Sequence, residues 1–449
     1  MPRWSIALVF APLLAGCFNP SGTDDPTAAT SAPQESSSTS VGPTSDAGTS
    51  VATTASTDTA PTSTTTPDPT STTTGDSSTS STDATTDHIP ACGDGVLEEG
   101  EFCYTPLDPP ATDLVPTDVA IGNFLGDDLA LEILIIDPTP PQFPGALWRV
   151  SGSGTVEFAA SAQFHGEQRL TALSVGDDAS TDVAAFATIP DPKAEVFSFT
   201  LYSTPPNSDT WNPVVKHFKS MKYATWLTAS PLDGIDGIQG DIVVTDDVTD
   251  TSVAHVWVNP MNSDGELPTY SLDAEGSLGG CIGDFDHNGF KDLAVLINKG
   301  VQLKLFLGQN SSNVPFIPDG SIIPLGSGMT RLVAADLDGQ PGDEIFAAGL
   351  ETCLVWSLDT GSYQVPCGDQ PVDLAVHATN IEILLFVADA ASSAVHVLRA
   401  VPGEKPAPLG TISTQRPPRA LALGDLNNDG FVDVAVATEK LLEVFLLGN

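Results

Sequence analysis

From residue 132 onward, an acidic residue followed at once by a short apolar run recurs seven times. The runs are Glu132-Ile-Leu-Ile-Ile136, Asp182-Val-Ala-Ala-Phe186, Asp241-Ile-Val-Val244, Asp292-Leu-Ala-Val-Leu296, Asp343-Glu-Ile-Phe346, Glu382-Ile-Leu-Leu-Phe386 and Asp433-Val-Ala-Val436. Successive acids lie 50, 59, 51, 51, 39 and 51 residues apart. A second register follows the first. Some ten to twenty residues beyond each acid comes another apolar run: Leu147-Trp-Arg-Val150, Phe197-Ser-Phe-Thr-Leu201, Val253-Ala-His-Val-Trp257, Val301-Gln-Leu-Lys-Leu-Phe306, Cys353-Leu-Val-Trp356, Val395-His-Val-Leu398 and Leu442-Glu-Val-Phe-Leu446. Runs this short, rich in β-branched and aromatic residues, are strands rather than helices.

Seven copies of a unit of about fifty residues, all β, predict a seven-bladed β-propeller over 109–449. Each unit opens on a strand poor in bulk, such as Gly279–Gly283, Leu332–Ala335 or Arg419–Gly424, as suits the crowded centre of a ring. An acidic loop, two apolar strands and an outer strand such as Gly410–Thr414 follow. The last unit stops one strand short, at Asn449. An unpaired strand edge exposes backbone donors and acceptors. The segment Phe102–Leu107 is therefore expected to fill the gap by pairing with Leu441–Leu447.

Ahead of the repeats the pattern changes twice. Residues 1–17 carry one arginine, an apolar stretch from Trp4 to Leu14 too short to span a bilayer, and the ending Leu14-Ala-Gly-Cys17. That ending resembles the bacterial lipobox, which implies lipidation of Cys17; Phe18 in place of Asp implies the outer membrane as destination. Residues 18–88 are Ser/Thr/Pro-rich and contain no Lys or Arg. They cannot bury enough apolar surface to offset chain entropy and read as a disordered tether, with an r.m.s. reach of about 40–50 Å. Its hydroxyl density permits O-glycosylation.

Charge narrows the partners. Of 58 acids nine lie in the tether, leaving 49 against 15 basic residues in the remainder. Such a surface repels nucleic acid and anionic lipid, so membrane contact is expected only through the N-terminal lipid. An extracellular protein or a glycan is the expected partner, and the chain is expected to be a monomer. Cysteines fit export. Cys92 and Cys103 bracket a glycine-rich loop, in a segment 89–108, that is similar to a small cysteine motif of myxobacterial surface proteins; the resemblance implies a local bridge. Cys353 and Cys367 flank a candidate hairpin turning at Asp359–Gly361, where they would be cross-strand neighbours. Cys281, between glycine and isoleucine, reads as a small core residue.

The chemistry sits in the acidic loops. Asp284-Phe-Asp286-His-Asn288-Gly-Phe-Lys-Asp292 and Asp425-Leu-Asn427-Asn-Asp429-Gly-Phe-Val-Asp433 offer side-chain oxygens at positions 1, 3, 5 and 9, with glycine at 6. That spacing serves a cation that takes several oxygen ligands at once. The motif, followed by Leu/Val-Ala-Val and repeated at about fifty residues, resembles the FG-GAP and VCBS repeats of integrin α chains and bacterial surface proteins. The resemblance implies Ca2+ held by Asp284, Asp286, Asn288 and Asp292 with the carbonyl of Phe290. A second ion would be held by Asp425, Asn427, Asp429 and Asp433 with the carbonyl of Phe431. Asp336-Leu-Asp338-Gly-Gln340-Pro-Gly-Asp343 is a weaker copy, one residue short. The loops offering Asn123, Asp127 and Glu132, Asp177 to Asp182, and Asp233, Asp236 and Asp241 depart further, and the sixth has lost its loop. These are expected to close turns without an ion.

No Gly-x-Ser-x-Gly, His-Glu-x-x-His, Walker or dinucleotide-binding motif occurs. His255 and His396 fall on third strands and read as partly buried, hydrogen-bonded imidazoles; Trp148, Trp257 and Trp356, also on third strands, read as inter-blade packing. The expected function is a non-catalytic, calcium-stabilised binding or adhesion module displayed on a lipid-anchored stalk. A carbohydrate-binding propeller lectin is the alternative, and a propeller enzyme such as a polysaccharide lyase or quinone-type dehydrogenase the third. An enzyme of that kind needs basic groups gathered at one face, and the Lys and Arg are spread thinly.

Overall fold

The computed structural model describes residues 102–448, apart from breaks at 111, 126–129, 138–143, 165–166, 168, 174–181, 187–198, 204–210, 219–223, 231, 233–240, 247–252, 258–269, 310–315, 327, 351 and 380–381. Cys17, the stretch assigned to export signal and tether, Cys92, Asp127, Asp177, Asp233 and Asp236 lie outside the described residues. Among the described residues the chain is nearly all β, with one short 3-10 turn at Asn298–Gly300.

The strands form seven four-stranded antiparallel sheets. In six of them the strands are neighbours in chain order; the fourth sheet runs Gly279–Gly283, Asp292–Ile297, Gln302–Gly308 and Phe316–Pro324. The first strands of successive sheets, Asp118–Gly122, Arg169–Leu173, Ala224–Ser230, Gly279–Gly283, Met329–Ala335, Pro371–Ala378 and Pro418–Gly424, touch one another in order. The last also touches the first, so the sheets close into a propeller-like ring around a cavity lined by all seven.

The second strands are continuous apolar runs because both their faces are covered. Asp292–Ile297, Glu344–Gly349 and Asp433–Thr438 are buried at every position. Alternate residues of a strand point to opposite faces. Accordingly Ile345 and Ala347 pack with Ala294 and Leu296 of the fourth sheet, whereas Phe346 and Ala348 pack with Leu385 and Val387 of the sixth. Fourth strands, such as Ala407–Ser413, meet solvent on one side and mix exposed and buried positions. At the centre bulk is excluded: a Cβ on Gly280 would lie 2.8 Å from the Ala294 carbonyl oxygen and 3.0 Å from the Trp226 ring.

The seventh sheet departs from chain order. Its outermost strand is Tyr104–Pro106, which pairs antiparallel with Leu442–Leu447, Tyr104 facing Leu447 and Pro106 facing Phe445. Leu107 extends the ladder, its N–H donating to the Val444 carbonyl at 2.9 Å. The Tyr104 ring meets Phe445 edge-on at 5.7 Å. Phe102 lies against Gly410 of the sixth sheet, where a Cβ would come within 2.5 Å of its ring. The seam is therefore held to two sheets.

Cys353 and Cys367 form a disulfide, with Cα atoms 5.9 Å apart. The register differs slightly from the expected pairing: Cys353 stands opposite Val365, and Cys367 lies just beyond the end of the strand Gly361–Val365. Cys103 and Cys281 are both buried.

Candidate metal loops

In five of the sheets the acid at the head of the second strand is the fixed point of its loop. In the fourth sheet Asp292 is fully buried, and its Oδ2 accepts the N–H groups of Phe285 (2.7 Å) and Asp286 (3.3 Å). Its Oδ1 accepts the N–H of Gly308 at the end of the third strand, 2.6 Å away. One carboxylate thus ties the loop to two strands. Asp433 repeats the arrangement with Leu426 (2.8 Å) and Leu447 (3.0 Å). Asp241 accepts from Leu232 at 3.0 Å. Glu132 accepts from Phe124 and Leu125, and Arg149 Nε donates to its other oxygen at 2.7 Å. The second residue of each loop, Phe124, Leu232, Phe285, Leu337 or Leu426, is buried as a plug.

In the fifth sheet the weaker copy needs correcting. Asp343 is not the closing acid of its loop. Glu344 is, with Oε2 accepting from Leu337 (2.7 Å) and Asp338 (3.3 Å). Counted to Glu344, the loop has full length. Asp343 turns instead to the preceding loop, where its Oδ2 accepts the Asp284 N–H at 2.8 Å and its own N–H donates to the Asp284 carbonyl. Lys291 Nζ lies 3.5 Å from the same oxygen. The two loops are thereby joined.

The tips follow a common path. Asp284 accepts the N–H groups of Asn288 and Gly289, and Asp425 those of Asp429 and Gly430, at 2.9–3.0 Å. Phe290 and Phe431 donate their N–H groups to Asn288 and Asp429. Gly289 and Gly430 have φ of 84° and 90°, a conformation that suits glycine. The fourth residue is also left-handed, His287 at 57° and Asn428 at 60°. That requirement was not read from the sequence, although Asn at this position signals it.

Carboxylate oxygens converge within 4.8 Å in two groups among the described residues: Asp284, Asp286 and Asp292, and Asp336, Asp338 and Glu344. Asp425, Asp429 and Asp433 form no such group; Asn427 stands at position 3, and its Nδ2 donates to Asp429 at 2.8 Å. In the fourth loop Asn288 Nδ2 donates to Asp286 and to the Gly308 carbonyl, both at 3.1 Å. Gln340 contributes its backbone N–H to Asp338 at 2.8 Å. Burial, and after it neighbouring acids, pushes Asp292 up to about 6, Asp433 to about 7 and Glu344 to about 8. The backbone N–H groups offset the burial of each closing carboxylate only in part. A divalent cation would supply the missing compensation. All-oxygen carboxylate groups of this kind fit a hard cation such as Ca2+ or Mg2+ rather than Zn2+ or Cu2+.

No family model and no curated protein matches the chain. Among solved structures it is similar to the crystal structure of BBS1N in complex with ARL6DN, soaked with lead, at 14% identity and a TM-score of 0.51, over 75% of this chain and 94% of that one. The mercury-soaked form of the same complex gives 12% identity and 0.50, over 75% and 92%. A streptogramin B lyase structure gives 12% and 0.48, over 77% and 98%. At these identities the likeness to the BBS1N structures speaks for a propeller-like fold and for nothing finer.

Proposed function

We propose that the chain is a lipid-anchored, calcium-stabilised binding or adhesion module, a seven-bladed propeller of FG-GAP/VCBS type carried on a flexible stalk from the bacterial outer membrane. The observation that carries the metal part is the pair of joined loops in the fourth and fifth sheets, each bringing three carboxylates within 4.8 Å. The seven sheets are the seven blades. Glu344 replaces Asp343 in the ligand set of the fifth loop, and the Asp425 loop is the weaker of the two nine-residue motifs. Support for a binding role is indirect: a propeller of similar fold was crystallised in complex with another protein. The reading is non-catalytic, and its occupant is an extracellular protein or a glycan.

Isothermal titration with CaCl2 on the fragment starting at His88 tests the metal. With sites of roughly 0.1–1 mM affinity, about 2 mM calcium adds on the order of 1 kcal/mol per ion. The expected result is saturable uptake and a modest rise in melting temperature, reversed by chelator and reduced in Asp284→Ala. No heat of binding at millimolar calcium rejects the metal assignment. Fatty-acid analogue labelling tests the anchor: the wild type should be labelled and Cys17→Ser should not. A glycan array separates the lectin alternative.

A further inference from the structure

The innermost strands carry charge at the opposite end of the ring from the acidic loops. The loops follow the last residue of each first strand; Asp118, Arg169, Arg331 and Asp373 stand at or near the first residue. They come from the first, second, fifth and sixth sheets and line one cavity of about 160 Å3. Four of the first strands, those starting at Ala224, Met329, Pro371 and Pro418, break register at their second residue. A bulge re-aims the side chains beside it, and Arg331 and Asp373 each follow one.

The two acids are each half spent, with one hydrogen bond on each oxygen. Asp118 takes the N–H groups of Val119 (3.0 Å) and Leu170 (2.9 Å), one on each oxygen. Asp373 takes Arg331 Nε at 3.3 Å on one oxygen and the Leu421 N–H at 2.9 Å on the other. The arginines are less spent. Arg331 uses its Nε on Asp373 and one Nη1 N–H on the Thr330 carbonyl at 2.9 Å. Arg169 Nη1 lies 3.8 Å from Asp118, and among the described residues no acceptor stands within hydrogen-bond distance of its guanidinium. A guanidinium carries five N–H donors in a planar fork. The two guanidiniums therefore hold more unspent donors than the two carboxylates have acceptor sites left.

We propose that this end of the channel is a binding site for a small carboxylate, gripped by Arg169 and Arg331 with its body against Trp226 and Leu278. The planar fork matches a carboxylate with two parallel N–H···O bonds. A cavity of this size takes about one benzene ring. The acidic exterior repels polyanions, so only a compact, singly charged ligand gains more from the arginines than it loses on approach. Asp118 and Asp373 orient the forks and keep the empty site neutral. The site shares no residue with the metal loops, so either can fail without the other.

The carboxylate can belong to a free small acid or to the C-terminus of a peptide. Sodium benzoate, benzamide, inorganic phosphate, the tripeptide Ala-Ala-Phe and its amide are to be titrated against the full chain calorimetrically, with ionic strength held constant by chloride. Saturable binding of benzoate or of the free tripeptide, at millimolar affinity or better and absent for benzamide and the amidated peptide, is the expected result. Which of the two binds identifies the source. Arg169→Gln should weaken that binding at least tenfold, and Arg331→Lys, which keeps charge but loses the fork, should weaken it too. Folding of both variants is checked by melting temperature and circular dichroism. Binding of phosphate alone, binding by none of the probes at 10 mM, or unchanged binding in a folded Arg169→Gln overturns the proposal.

Discussion

Glu132 and Glu382 occupy the same place in the repeat and do different work. Glu132 is fully buried; it takes two backbone N–H groups and the Arg149 side chain. Glu382 is only half-buried, 3.6 Å from Arg399. Truncating one partner of a buried, hydrogen-bonded ion pair leaves the other uncompensated and costs about 3–5 kcal/mol, whereas exposed pairs contribute about 0–1 kcal/mol. Glu132→Ala should therefore lower stability in urea by about 3 kcal/mol or more, and Glu382→Ala by less than about 1 kcal/mol. Equal losses would mean that Glu132 does not hold its loop. Asp118 gives a pH signature. Burial, offset in part by Arg169, raises it to about 6 against an ordinary value of 3.8. The folded chain then binds the proton more tightly than the unfolded one. Its contribution is greatest below pH 4, is lost as pH rises to 6, and is flat above. Denaturation of wild type and Asp118→Asn at pH 4, 6 and 8 should show the wild type losing more stability than the variant between pH 4 and 6, with parallel behaviour beyond.

At the scale of strands and loops, the disulfide and the loop tips make separate predictions. Cys353 and Cys367 close a loop of 14 residues, which stabilises by about 3 kcal/mol on the chain-entropy account. Cys353→Ser with Cys367→Ser should lower the melting temperature and leave calcium binding in place; unchanged stability under oxidising conditions would show that the bridge is idle. Much of this level was legible because each second strand announces itself twice, by its apolar run and by its leading acid. Gly279–Gly283 was placed to the residue, and the third strands with Trp148, Trp257 and Trp356 fall where expected. The fifth loop misled because two acids, Asp343 and Glu344, stand side by side, and only the N–H groups of Leu337 and Asp338 show which one closes it. The channel cluster was not legible at all. Its residues belong to no local motif, and they meet only because the heads of four distant strands share a ring. The one trace of it is positional: charge at or near the head of four first strands, where the other three begin with Ala224, Gly279 and Pro418.

The whole molecule is fastened where its described ends meet. A fragment beginning at Thr112 lacks Tyr104–Pro106, leaving Leu442–Leu447 without its outer partner and exposing a strand edge that templates association. It should melt below the fragment beginning at His88 and form oligomers by light scattering; identical melting and clean monomers would show that the seam is dispensable. The seam also has a mechanical meaning. Any pull arriving through the chain ahead of residue 102 enters the fold at Tyr104, opposite Leu447, at the end of the ladder nearest both termini. Drawn apart there, the pairs open one after another, like a zip, because the force falls on a single pair at a time. Drawn along the strand, the same three pairs and the Leu107 bond resist together. The direction of a pull on the chain ahead of residue 102 thus decides how firmly the ring stays shut.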